Sequence, residues 1–252
     1  MNIQWNAEEY EDKFNFVHKY GEGVMELIDA APNSFVVDLG CGNGALSKML
    51  SERGYRVLGI DASVEMIETA KNLYPEMEFA VADATGFQLE EKADVIFSNA
   101  VFHWIDEDKQ ERLLSNISSQ LKTGGQLVCE FGGKGCGEAV HSTLEKHFEK
   151  RGMKYPRTFY FPTIGEYAPT LEKCGLQVEY ATLFDRPTEQ TTENGLEDWI
   201  RMFVKEPFKN VEEKIKNEII QETVEELRDK LYINGKWFVD YVRIRIKAKK
   251  VK

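Results

Sequence analysis

Gly40, Gly42 and Gly44, with Cys41 between them and Asp38 just ahead, are the residues in this chain best suited to hold a ligand. Bare glycines let a backbone turn sharply and bring its amides against a bound molecule, because a Cβ would occupy that space. Asp61 follows about 20 residues beyond the first glycine, the offset at which a carboxylate accepts both ribose hydroxyls of an adenosine. Ala62 comes next to it. Asp83 is a third acidic residue in the series, placed to accept from an adenine amino group while the Ala84 backbone donates to the ring. Met66 is expected beside the adenine. Asn99, Ala100, His103 and Trp104 are expected at the reacting end, where His103, with an ordinary imidazole pKa near ~6.5, is the candidate catalytic base. The alternative for His103-Trp104 is packing at the start of a helix.

These residues need a particular set of elements behind them. Phe35-Val36-Val37-Asp38-Leu39 reads as a short apolar strand running into the glycine turn, and a helix starting near Ala45 aims unpaired N–H groups and a positive dipole end at the same spot. Strands are expected over 55–60, 79–82 and 93–98, each closed by a polar or acidic residue, and a fifth over 126–131. Helices over 45–52, 63–73 and 107–121 alternate with them. That order gives a doubly wound α/β sheet with its ligand across the topological switch point.

Two ligands compete for such a turn. Gly40 to Ala45 satisfies the G-x-G-x-x-G/A dinucleotide fingerprint as written, so a NAD(P)-dependent oxidoreductase stays open on spacing alone. Asp38 weighs against it, since a carboxylate at the strand end repels a pyrophosphate and favours a ligand carrying positive charge.

Asp-Leu-Gly-Cys-Gly-Asn-Gly resembles the first motif of the class I S-adenosylmethionine-dependent methyltransferases, whose acidic residue there, here Asp38, helps hold the methionine end of the cofactor. The resemblance narrows when Trp5-Asn6 with Tyr10, Gly59-Ile60-Asp61, Ala82-Asp83-Ala84, Ser98-Asn99-Ala100 with Trp104, and Leu121-Lys122-Thr123-Gly124-Gly125 are added. This set is similar to the bacterial trans-aconitate methyltransferases and their small-molecule relatives. It covers about the first 130 residues, and Asp198-Trp199-Ile200 is the nearest later match. The resemblance implies S-adenosyl-L-methionine as cofactor and a small-molecule acceptor, a carboxylic acid first among the candidates, while the N-terminal helical pattern either covers a sheet edge or brings Trp5 or Tyr10 over the cofactor. The chain departs from that group at His103, where glutamine is usual, and carries no recognisable tricarboxylate-binding features after Phe131.

A carboxylate acceptor needs a positioning cation rather than a base, and Arg157, Arg186, Arg201 and Arg243 are the substrate-side candidates through bidentate pairing. A hydroxyl or amine acceptor would call on His103 instead. A third reading, a cofactor-binding module without catalysis, would show a blocked acceptor pocket.

Composition narrows the partners. Against 43 Asp and Glu stand 32 Lys and Arg, a formal charge of -11 that repels a phosphate backbone, so nucleic acid is not expected. Cys41, Cys129, Cys136 and Cys174 form no C-x-x-C pair and are expected as reduced thiols in a cytoplasmic protein. His18, His103, His141 and His147 lack zinc spacing, so no metal is expected. No apolar run approaches the ~18 residues of a membrane span, and the acidic N-terminus is unlike a signal peptide.

The expected organisation is an aromatic-rich helical cap over 1–33, with a helical run over 24–30, the cofactor-binding core over 34–131, substrate-side insertions over 132–232 with one core strand over about 175–184 that leaves the sheet at Asp185-Arg186-Pro187, and a final strand with its tail over 233–252, entered by an Asn234-Gly235 turn. Two helices, over 196–204 and 211–231, interrupt the last two strands and are expected to form a lid. The whole is a Rossmann-like, seven-stranded, mostly parallel sheet whose last strand, over 237–248, runs antiparallel at the sheet edge, its lysines protecting that edge. A lid helix and a dimer helix share one periodicity, so oligomeric state is not readable.

Overall fold

The computed structural model describes residues 17–192 and 194–251, so the expectations for Trp5 and Tyr10 lie outside the described residues. Among the described residues eight strands form one sheet: β1 (Phe35–Leu39), β2 (Arg56–Asp61), β3 (Glu78–Val81), β4 (Ala93–Asn99), β5 (Leu121–Gly132), β6 (Leu176–Gln190), the short β7 (Tyr232–Ile233) and β8 (Lys236–Lys250). Their order is β3-β2-β1-β4-β5-β8-β6, with β7 paired to β8 outside that path. The first five strands pair in parallel, and β8 runs antiparallel to both neighbours. The expected seven-stranded sheet is this path, and β7 adds a strand to it. The direction of winding reverses between β1 and β4, which opens a crevice at their carboxyl ends.

Alternation within the strands decides which helix each face receives. Val36, Val95, Phe97 and Val128 point to one side and pack on α1 (Val17–Met25) and α2 (Ala45–Glu52). Val37, Leu39, Ile96, Leu127 and Cys129 point to the other, against α4 (Gln110–Gln120) and α6 (Ile164–Lys173). Between them in sequence, α3 (Val64–Leu73) buries Ile67 and Ala70 against Phe79 of β3 and Cys41 of the turn. Its start is set by Ser63, whose hydroxyl accepts from Met66 N at 3.2 Å.

A second core lies beyond the sheet. Here α5 (Glu138–Glu149), α7 (Leu196–Phe203) and α8 (Glu213–Leu231) bury Val140, Leu144, Phe148, Trp199, Ile200, Ile220 and Leu227 together with Trp237, Val239 and Tyr241 from the first half of β8. The second half of β8 supplies Ile244, Ile246 and Ala248 to the core under the sheet. One strand thus runs through both cores.

Three expectations are corrected. The first helix occupies Val17–Met25 rather than 24–30, passing through Gly21 because α2 approaches too closely for a side chain: a Cβ there would sit 2.5 Å from Leu46 Cδ2. Strand β6 does not leave the sheet at Asp185-Arg186-Pro187 but continues to Gln190, with Pro187 opposite Asp240. Since β6 pairs on one side only, a residue lacking an N–H is tolerated there. For the same reason β8 is not the edge. It lies between β5 and β6, with Lys250 Nζ donating to Leu121 O at 2.9 Å and Lys247 lying 3.9 Å from Glu179. The expected Asn234-Gly235 turn joins β7 to β8 with both residues at positive φ. Among the described residues no helix is long and apolar enough to cross a membrane.

Candidate functional site

The carboxyl ends of β1, β2 and β4 and the loop after β3 open into one continuous cleft. Gly40, Cys41, Gly42, Asp61, Ala62, Met66, Asp83, Ala84, Asn99, Ala100, His103 and Trp104 all line it, so residues scattered over 65 positions of sequence come together as the spacing implied. Gly40 takes φ 79°, and a Cβ there would lie 2.2 Å from Val101 Cγ2, so only glycine fits. The turn is tied to β2: Gly40 N and Cys41 N donate to Ile60 O, and Gly42 N donates to Asp61 Oδ2 at 3.0 Å. Asp61 Oδ1 accepts from Ser63 N at 2.9 Å. Burial raises the Asp61 carboxyl above its usual range, and the backbone donors from Ser63, Gly42 and Ala62 work against that rise. Each Asp61 oxygen retains acceptor capacity for a ribose hydroxyl. Asp83 Oδ1 is already taken by Thr85, whose N and Oγ1 donate at 2.7 and 2.6 Å.

At the reacting end Ala100 holds φ 62°, a left-handed conformation costly for alanine. It is fixed by both its backbone groups, N donating to Glu130 O at 2.7 Å and O accepting from Trp104 Nε1 at 3.1 Å. His103 is buried, and its Nδ1 accepts from Gly132 N at 3.2 Å. Burial and then the charge of Arg243 hold its pKa well below the ordinary imidazole value. With the lone pair of Nδ1 engaged, the neutral ring carries its proton on Nε2 and is a donor, not the base expected from sequence. His141 is likewise buried and neutral. Its Nδ1 lies 2.6 Å from the buried Tyr155 hydroxyl, and burial pushes its pKa down to about 4.

Several candidates fall outside the cleft. Asp38 is 1 % exposed beneath the turn, where Ser47 Oγ donates to its Oδ2 at 2.6 Å and burial lifts its pKa to about 7. It supports β1 and the start of α2 and does not line the cleft. Gly44 also lies off it, at the head of α2 against the Phe79 ring. Arg157 pairs with Glu138 and Glu145, and Arg201 with Glu197 and Asn217. Arg186 makes a bidentate pair with the buried Glu130 at 2.6 and 2.8 Å, and Arg245 shares that carboxylate at 2.7 Å. None of these three candidate arginines lines the cleft, because each is engaged by a nearby acid. We expect Glu130→Gln, which leaves two half-buried guanidinium groups without their countercharge, to lower stability by about 3–5 kcal/mol in denaturant unfolding.

Of the four candidate arginines, the one that lines the cleft is Arg243. It stacks over Tyr241 at 4.5 Å, and its buried Nε has no hydrogen-bond partner among the described residues. Around it stand His141, Phe159, Phe161, Trp199, Phe203 and Tyr241, none of which was named as a site residue from sequence. The signal lay in Phe159-Tyr160-Phe161, where a period of two puts both phenylalanines on one side of an extended segment. Tyr160 N anchors that segment to His103 O at 3.2 Å.

Comparison with known proteins agrees with this geometry. The profile of a family described as "Methyltransferase domain" matches residues 36–125. An uncharacterized methyltransferase of Schizosaccharomyces pombe is 31% identical over 98% of this chain and 98% of its own. A trans-aconitate 2-methyltransferase of Escherichia coli is 28% identical over 78% of this chain and 81% of its own. Among solved structures, the Haemonchus contortus phosphoethanolamine N-methyltransferase 2 in complex with phosphomonomethylethanolamine and S-adenosylhomocysteine superposes with TM-score 0.63 at 18% identity, covering 98% of this chain and 57% of that one.

Proposed function

The chain belongs to the class I S-adenosylmethionine-dependent methyltransferases, and from that premise we propose that it methylates an oxygen of a small carboxylic acid held by Arg243. The observation that carries this reading is the buried Nε of Arg243 on the acceptor side of the cleft, a donor without a hydrogen-bond partner among the described residues, in a planar group that suits a carboxylate.

The cofactor, when bound, supplies a methyl group already activated on a sulfonium, so attack by an acid oxygen breaks the C–S bond and leaves its electron pair on sulfur. Asp61 would accept from the ribose hydroxyls, and Asp83 Oδ2 and the Ala84 backbone would meet the adenine. Gly40 and Gly42 bring the backbone close without side chains in the way. Asn99 and Ala100, fixed from β5 through Glu130 O, form the floor where methyl and acceptor meet. Arg243 orients the carboxylate, and the surrounding rings exclude water. A carboxylate is ionised at neutral pH and needs no base, which suits a His103 that offers a donor.

The pH dependence follows. A base titrating near ~6.5 would make kcat/KM climb between pH 5.5 and 7.5. His103, kept neutral by burial, gives no such limb, so the profile on an acid should be flat from about pH 6 to 8. A rising limb that disappears in His103→Asn would return the base role to it. The proposal itself is tested by titrating S-adenosylhomocysteine calorimetrically and then screening acids, phenols and amines for methylated product. Turnover confined to amines or phenols would overturn the acid reading while leaving the cofactor in place.

A further inference from the structure

We propose that the acceptor is a monoanion with a flat apolar body, and that the site is built against acids carrying two or three carboxylates. This rests on the reading that the acceptor is an acid. Phe159 and Phe161 stack with ring planes 5° apart and centroids 5.3 Å apart, and Trp104 meets Phe159 edge-on at 4.8 Å. Trp199 closes the far side, its Nε1 donating to Tyr241 Oη at 2.6 Å. These rings offer faces and edges to a planar body, with little to hydrate a charge.

Arg243 is the one charged side chain among the described residues lining this side of the cleft. The other cations that line it serve the adenosine side: Lys109 pairs with Asp106 at 2.6 Å, and Arg112 Nε donates to Thr85 O at 3.2 Å, beside Asp83. His103 and His141 add no positive charge, because burial holds both neutral. A first carboxylate therefore exchanges water for a guanidinium. A second would exchange water for aromatic carbon and find no countercharge, a loss we set at about 100-fold or more in kcat/KM for an acid that carries more than one carboxylate.

The test uses the full-length protein and two acids that share a propenoate unit, 3-phenylpropenoate and propene-1,2,3-tricarboxylate, with 3-phenylpropenol and 3-phenylpropylamine as uncharged-oxygen and amine counterparts. Methyl transfer is measured for each, and binding of both acids to the protein loaded with S-adenosylhomocysteine is titrated directly. The expected result is a kcat/KM at least 100-fold higher for the phenyl acid. Equal or better turnover of the tricarboxylate overturns the inference and leaves the acid reading intact. Turnover of the alcohol or amine without either acid overturns both. Failure of the phenyl acid to bind the loaded protein overturns the inference as well, with S-adenosylhomocysteine binding still marking the site as a methyltransferase cofactor site.

Discussion

Asp61→Ala should reduce affinity for S-adenosylhomocysteine by at least about 100-fold, the largest single effect expected in this protein. A hydrogen bond to a charged group contributes about 1.5–3 kcal/mol, and this carboxylate is assigned two of them to the ribose. Two such bonds amount to about 3–6 kcal/mol, and about 1.4 kcal/mol is a factor of ten. The same substitution frees Gly42 N and Ser63 N, so the glycine turn loses its tie to β2 as well. Asp61→Asn separates the two effects: its amide oxygen can still accept from one of the backbone donors, while its NH2 cannot accept from a hydroxyl. The ordering expected in calorimetric titration is wild type, then Asn, then Ala. Affinity within fivefold of wild type for the alanine variant would remove Asp61 from the cofactor site.

Arg243→Met should lower kcat/KM on the acid acceptor by about 10²–10³-fold, because truncating one partner of a buried, hydrogen-bonded charge pair costs about 2–5 kcal/mol. Methionine keeps the apolar stem of the arginine while removing the guanidinium that lies over Tyr241, and because Arg243 is on the acceptor side, S-adenosylhomocysteine affinity should stay within about threefold. Arg243→Lys keeps the charge but not the planar fork and should fall between the two. Unchanged turnover in the methionine variant would show that the acceptor is positioned by something other than this guanidinium.

The glycine-turn side of the cleft was legible because its geometry is local. Gly40, Asp61, Asp83 and Asn99 each sit at or just past a strand end, and a parallel sheet brings strand ends together whatever the rest of the chain does. Asp38 shows what sequence leaves open: it is placed at the carboxyl end of β1, but alternation along the strand decides whether a side chain lines the cleft or lies under the turn, and here it meets Ser47. The acceptor half was legible only in part. Arg157, Arg186 and Arg201 were reasonable candidates by type, but whether an arginine is spent depends on which acid lies across the fold, such as Glu130 in β5 for Arg186 in β6. Nothing within a few residues of either position announces that pairing. The aromatic wall is assembled from the loop after α5, from α7 and from β8, three segments that only tertiary packing brings to one place.

That Trp237 and Ile246 belong to one unbroken strand yet to different cores has a consequence for how such a molecule can diversify. The acceptor half is not a module. Exchanging α7 and α8 for other helices would strip the packing from the first half of β8, and the ladder with β6 would carry the damage into the sheet that holds the cofactor turn. New acceptors are therefore reached most readily by replacing single rings such as Phe159 or Phe161, which stand on a loop outside that ladder, while the frame behind them is inherited whole.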